Sequence, residues 1–91
     1  MPYTLIYPDS YIRRARKFLR KHTEIHSQYE KTLRLLELDP YHPSLRTHKL
    51  EGRLQGLFSV SVNMSYRIVM ELEIYDEEII LINIGSHDQI Y

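Results

Sequence analysis

Apolar and polar residues alternate over residues 3–7, with Tyr3, Leu5 and Tyr7 set against Thr4 and Ile6, the two-residue period of a half-buried strand. Pro8-Asp9-Ser10 interrupts the alternation and offers a helix N-cap at Asp9 or Ser10. Ile12, Ala15, Phe18 and Leu19 then recur at helical spacing. Thr23 reads as a second N-cap, with Glu24 in the first turn where a negative charge suits the helix dipole. Ile25, Tyr29, Leu33 and Leu36 form the apolar stripe of this second helix, and Asp39-Pro40 ends it. Two amphipathic helices joined by so short a link predict an antiparallel helical hairpin.

Residues 40–56 carry two prolines and two glycines and predict a loop rather than a long regular element. Beyond Gly56 the period is two again. Phe58, Val60 and Val62 alternate with Ser59, Ser61 and Asn63, and Tyr66, Ile68, Met70 and Leu72 alternate with Arg67, Val69, Glu71 and Glu73. Residues 75–78 read as a turn, and residues 79–84, nearly all apolar, read as a central strand covered on both faces. The predicted order is β-α-α-β-β-β. This is an α+β fold in which an antiparallel sheet packs against an N-terminal helical hairpin. Ninety-one residues suit one domain, spanning 1–91.

The charges change this picture. Net charge is zero, yet residues 1–53 hold eleven Lys and Arg against six Asp and Glu, while residues 54–91 hold one against six, the lone cation being Arg67. Arg13, Arg14, Arg16, Lys17, Arg20 and Lys21 make the outside of the first helix basic, and Arg46, His48, Lys49 and Arg53 crowd the loop. Such segregation predicts one anion-attracting face. Eight tyrosines and no tryptophan favour half-wet surfaces and base stacking. The absence of cysteine excludes disulfides, thiolate metal sites and a cysteine nucleophile, and it fits a reducing cytoplasm. No apolar run approaches membrane-spanning length, and the first residues lack a signal pattern, so no membrane partner is expected. His22 and His26 lie four apart but straddle the break between the helices without a third ligand nearby, so no metal site is assigned.

Candidate chemistry gathers at residues 82–91, I-N-I-G-S-H-D-Q-I-Y. Gly85 reads as a turn or bulge that ends the strand, and His87 and Tyr91 follow it. Ile90 and Tyr91 have a second reading, as an apolar clasp on the core. If Asp76 and Glu77 centre the last turn, paired residue numbers sum to about 153 and Arg67 faces Ser86, beside His87. An arginine beside a histidine and a tyrosine suits a phosphodiester: the guanidinium holds phosphate oxygens, and the other two move protons. That is the requirement for RNA cleavage by attack of the RNA's own 2′-hydroxyl, which calls for no cofactor and no protein nucleophile.

The loop L-R-T-H-K-L-E-G-R-L-Q-G-L-F at 45–58, the strand S-Y-R-I-V at 65–69 and the ending I-G-S-H-D-Q-I-Y at 84–91 resemble the RelE/ParE superfamily of toxins from type II toxin–antitoxin systems, and its YafQ-like branch most. The resemblance covers nearly the whole chain. It implies a compact mRNA interferase, a cytoplasmic endoribonuclease that cuts messenger RNA on the ribosome and is silenced in a hetero-oligomer with a cognate antitoxin. By the same resemblance, His48 matches the branch's loop histidine, His87 the histidine after the final strand and Tyr91 the terminal aromatic, while Tyr66 takes the place of a tryptophan. Arg67 matches the arginine of a Tyr-Arg pair in RelE-type members. The resemblance thus nominates His48, His87, Arg67 and Tyr91 as catalytic. Arg46, Lys49, Arg53, Tyr66, Arg13, Arg16, Lys17 and Arg20 are the RNA-binding set. Ser61, Ser65 and Asn83 stand where the branch has a histidine, an aspartate and an arginine. Two alternatives follow from these replacements: a toxin of the same fold that acts by binding, as ParE-type members do on DNA gyrase, or a catalytically weak antitoxin-binding protein.

Overall fold

The computed structural model describes residues 2–91. Strand β1 (Thr4–Ile6) leads into helix α1 (Asp9–Lys21), and helix α2 (His26–Leu38) follows a single 3-10 turn at Thr23–Ile25. The loop after α2 contains 3-10 turns at Pro43–Leu45 and Gly52–Leu54, with a two-residue strand β2 (His48–Lys49) between them. Strands β3 (Phe58–Ser61), β4 (Tyr66–Glu73) and β5 (Glu78–Ser86) complete the sheet, and a helical turn α3 (His87–Ile90) ends the fold. The α+β order is as expected, with β2 and α3 added. The sheet runs β1-β5-β4-β3-β2. It is not wholly antiparallel, because β1 lies parallel to β5.

Neither helix begins as expected. Pro8 occupies the N-cap of α1 and makes Asp9 the first helical residue, where its charge suits the dipole. Thr23 opens the 3-10 turn and makes no side-chain cap. The helices bury most of the anticipated stripes, with Leu19 and Leu33 half-buried, but Tyr11 rather than Ile12 enters the core. Tyr11, Ala15, Phe18, Ile25, Tyr29 and Leu36 pack on one face of the sheet against Val60, Ile68, Met70, Ile79, Leu81 and Ile84. Each Val, Leu, Ile, Met or Phe among them contributes roughly 1.5–3 kcal/mol by leaving water. Within this core the Tyr11 and Tyr29 hydroxyls meet at 2.6 Å.

The opposite face carries a smaller cluster, Leu50, Val69 and Ile90, flanked by Leu54, Leu57 and Ile82. The loop and α3 therefore roof the sheet from the side the helices leave open. This second layer explains the continuous apolar run of β5, which has protein on both faces.

Two details of the β4–β5 hairpin correct the sequence reading. Glu73 pairs with Glu78, so the turn is centred on Tyr75 and Asp76 rather than one residue later, and Ile82 is bulged out between the pairs Val69–Asn83 and Met70–Leu81. Arg67 consequently faces Gly85, not Ser86. Gly85 itself is a paired strand residue, and the strand ends after Ser86. A Cβ at Gly85 would come within 2.9 Å of the Gln89 Oε1 atom, so the glycine makes room for α3 to fold back on the strand.

Candidate active site

Arg67 rises from β4 on the face that the helices leave open. Its Nε donates to the Ser59 hydroxyl at 2.8 Å, and its Nη2 donates to the Arg46 carbonyl at 2.8 Å and the Ser59 carbonyl at 3.3 Å. Arg46 adopts a left-handed conformation (φ 48°) as it closes the Pro43–Leu45 turn. Its carbonyl meets Arg67, while its side chain stays exposed. Burial draws the Arg67 guanidinium below its ordinary pKa; the Tyr91 phenol opposes that effect, and the Arg46 charge reinforces it. The hydrogen bonds fix the half-buried guanidinium in one pose and leave the rest of its fork available for an anion.

His48 reaches the same place from the edge strand, because β2 pairs it with Ser59. Its Nδ1 lies 3.4 Å from Arg67 Nη2 and its Nε2 lies 3.2 Å from the Tyr91 hydroxyl. The Tyr91 hydroxyl is also 3.0 Å from Ser59 Oγ. Arginine only donates, so where a neutral His48 takes a hydrogen bond from Arg67 its Nδ1 accepts and its ring proton sits on Nε2, facing Tyr91. Tyr91 can then donate to Ser59, whose hydroxyl already accepts from Arg67. One closed network ties two side chains that move protons to one that holds charge.

α3 delivers Tyr91. Ser86 and Gln89 form a reciprocal capping box at its start, and Ile90 is buried in the smaller cluster. Arg53 Nη2 grips the Ile90 carbonyl at 3.3 Å and the Tyr91 carbonyl at 2.9 Å. His87 stands at the solvent side, its ring 4.2 Å from that of Tyr91 and edge-on to it. Its side chain is 72 % exposed, with Nδ1 3.7 Å from the Asp88 carboxylate. Ile90 thus provides the anticipated clasp while Tyr91 joins the polar network.

The structure gathers His48, Arg67, Tyr91 and His87, with the Arg46 backbone, at this one place. Arg53 lies at its border and is engaged with the chain itself. Lys49 pairs with Phe58 on the alternate side of β2 and so lies away from the network. Tyr66 is on the helix-covered face, 5.0 Å from the Phe18 ring and 4.8 Å from the His22 ring, so the structure sets it apart from Arg67. Arg13, Arg16, Lys17 and Arg20 are exposed on α1. Ser61 donates to the Asn63 carbonyl at 2.7 Å, and the Ser65 amide donates to the Asn63 side chain at 2.8 Å, so both residues serve the β3–β4 turn. His26 Nε2 meets the Leu19 carbonyl at 2.9 Å and His22 Nδ1 meets the Tyr66 hydroxyl at 3.3 Å. Among the described residues no three potential ligands converge on a metal position.

Ser59 is the member that sequence reasoning missed. It is fully buried, and its hydroxyl joins Arg67 to Tyr91. As one of several serines in an alternating strand it reads as a solvent-facing position, and nothing in its neighbours marks it out.

No protein-family model and no curated protein matches the chain. Solved structures do. YafQ from Escherichia coli superposes with a TM-score of 0.79 at 14% identity, covering 98% of each chain. A chain of the toxin–antitoxin complex RelBE2 from Mycobacterium tuberculosis gives a TM-score of 0.72 at 16% identity, covering 96% of this chain and all of that one. A YoeB/ParE toxin from Agrobacterium tumefaciens gives 0.74 at 15% identity, covering 92% and 98%. At such identities the likeness is one of fold, and the fold is that of RelE-like toxins.

Proposed function

We propose that this chain, built on the RelE-like toxin fold, is the toxin of a type II toxin–antitoxin pair and acts as an endoribonuclease on messenger RNA. The observation that supports this most directly is the Arg67–Ser59–Tyr91–His48 network, a phosphate-holding cation locked beside groups that transfer protons. In the reaction a base takes the proton of the ribose 2′-hydroxyl, the 2′-oxygen attacks the adjacent phosphorus, and the bond to the 5′-oxygen breaks as that oxygen is protonated. The products are a 2′,3′-cyclic phosphate and a 5′-hydroxyl. Arg67 stabilises the extra negative charge of the transition state.

Both ring nitrogens of His48 are engaged, whereas His87 is open to solvent. His87 is therefore the group free to take the 2′-hydroxyl proton, and the His48–Tyr91 pair serves the leaving oxygen. A substrate whose leaving 5′-oxygen is replaced by sulfur needs no acid. It should restore cleavage in His48→Ala and not in His87→Ala; the reverse pattern would exchange the two roles.

Exposed Arg13, Arg16, Lys17 and Arg20, with the Arg46 side chain, supply non-specific contacts to messenger or ribosomal RNA. The partner that silences the protein is an antitoxin, consistent with the toxin–antitoxin complex among its structural neighbours. The work is assigned to the cytoplasm, and no helix among the described residues is long and apolar enough to cross a membrane.

The test is inducible expression without the antitoxin, wild type beside Arg67→Ala and His87→Ala, with primer extension on a translated reporter. Growth arrest with cuts in the reading frame that vanish in both variants is the expected result. A second reading, a toxin that acts by binding, draws on Ser61 and Ser65, whose hydrogen bonds serve the β3–β4 turn and leave proton transfer to fewer groups. Arrest without cuts, persisting in both variants, would establish it.

A further inference from the structure

We propose that the groove between α1 and the outer edge of β5 is a second binding site for the same RNA strand, holding a nucleotide beyond the cleavage site. The proposal rests on the ribonuclease reading given above. β1 pairs only with residues 78–80, so β5 has no strand partner on that side from Leu81 onward. α1 lies along this stretch, and helical spacing sorts its cations into two stripes. Arg13, Arg16 and Arg20 face outward, while Arg14, Lys17 and Lys21 line the groove together with His22.

Every charged group lining the groove is cationic, and the amide nitrogens of Asn83 and Gln89 add free donors. Arg14 Nη1 donates to the Ile82 carbonyl at 3.2 Å and is thereby anchored on the edge of β5. Asn83 and Gln89 also line the groove. The Asn83 side-chain oxygen accepts from the Ile84 amide at 2.9 Å, and the Gln89 oxygen accepts from the Ser86 amide at 2.8 Å. A backbone N–H needs an acceptor, so those two oxygens are identified. The NH2 groups of both side chains are then left as donors with no protein acceptor among the described residues. No carboxylate lines the groove; Glu24 approaches His22 at 3.6 Å from outside it. Phe18 and Ile84 give it an apolar floor.

The ligand for such a surface is anionic, rich in acceptors and partly apolar, which describes a nucleotide of a single strand. The groove's volume of about 320 Å³ is at the small end of the roughly 300–1,000 Å³ common for ligand pockets. Its position favours RNA over an acidic protein segment. Arg14, Asn83 and Gln89 also border the adjoining depression that Arg53 and Ile90 close. Gln89 belongs to the same helical turn as His87. A strand leaving the network at His87 crosses that turn and enters the groove without a break.

The test compares binding of a 2′-O-methyl RNA dinucleotide and an octanucleotide, neither of which can cleave itself, by fluorescence anisotropy at several salt concentrations. Wild type is set beside Lys17→Ala/Lys21→Ala, both exposed positions. In the double variant the ratio of octamer to dinucleotide affinity should fall about tenfold, and the octamer's salt slope should fall by roughly 1.4, at roughly 0.7 per lost cation. An unchanged ratio would overturn the proposal. An octaglutamate peptide that displaced the octamer through the same two lysines would also overturn it, in favour of an acidic protein partner. A wild type that cuts no RNA but keeps the lysine-dependent ratio would defeat the ribonuclease reading and leave the groove standing.

Discussion

Ser59 shows how much of the site rests on one small side chain. Its hydroxyl joins the Arg67 guanidinium to the Tyr91 phenol, a second bridge beside the one His48 makes. Ser59→Ala leaves Arg67 with its two carbonyl contacts, so stability should drop by only about 1 kcal/mol in denaturant unfolding. RNA cleavage should fall on the order of tenfold or more, because a loosened phosphate-binding group loses positioning. That Arg67 lies near His87 and Tyr91 follows from the hairpin pairing, and His48 was nominated by the resemblance; the structure brings the four side chains together. Ser59 was not legible in the sequence, since a hydroxyl gains its role only from the pairing that sets it between β2 and β4. The Tyr11–Tyr29 pair makes a second residue-scale case. Burial, reinforced by the charge of Tyr29, raises the Tyr11 phenol far above 10.0, and burial raises Tyr29 in spite of the bond from Tyr11. The folded phenols stay neutral while unfolded ones ionise, so this contribution is complete below pH 10 and is lost as pH rises above it. Tyr11→Phe should cost about 1–3 kcal/mol by orphaning the Tyr29 hydroxyl, and the double Tyr11→Phe/Tyr29→Phe variant should cost less than the sum of the two singles.

α3 is a four-residue element with no hydrogen-bonded length to sustain it, and three contacts substitute for length: its capping box, the burial of Ile90 and the Arg53 bridge. Gly85→Ala would push the Gln89 side chain off the Ser86 amide, since its oxygen lies 2.9 Å from the new Cβ. The loss should be about 1 kcal/mol of stability, with a larger proportional loss of cleavage because Tyr91 is carried by this turn. Hydrogen exchange localised to residues 86–91 would confirm the source. Much at this scale could be read from periodicity: both helices, the three long strands and the double cover of β5. The β4–β5 register could not, because centring the turn one residue early and bulging Ile82 each change the pairing without altering the alternation of apolar residues. The short strand β2 was equally hidden, since two residues show no period.

Across the whole molecule the charge asymmetry in the sequence becomes a spatial one. Arg67 lies near the start of β4 and Glu73 at its end, about 20 Å apart at about 3.4 Å per residue. Around Glu73 stand Glu71, Asp76 and Glu78, and Glu71 above all raises its pKa from 4.5. The ionised folded state is therefore strained by repulsion. Glu73→Gln should raise the melting temperature at neutral pH, and the gain should shrink as pH falls through the folded pKa and vanish below the unfolded value. On the proposed function, such a polar molecule would meet RNA with its basic side and keep the acidic hairpin away from it, so association should slow steeply with added salt. The fold itself is shared with toxins at 14–16% identity, so the chemistry must be judged on the site. The most direct judgement comes from a messenger programmed in the ribosomal A site, presented either as all-RNA or with a single 2′-deoxy nucleotide on the 5′ side of the cut. The all-RNA messenger should be cut to a 2′,3′-cyclic phosphate and a 5′-hydroxyl, and the deoxy messenger should stay intact. Cleavage of the deoxy messenger, or ends bearing a 5′-phosphate, would contradict attack by the 2′-hydroxyl and with it the roles assigned to His48, Arg67, His87 and Tyr91.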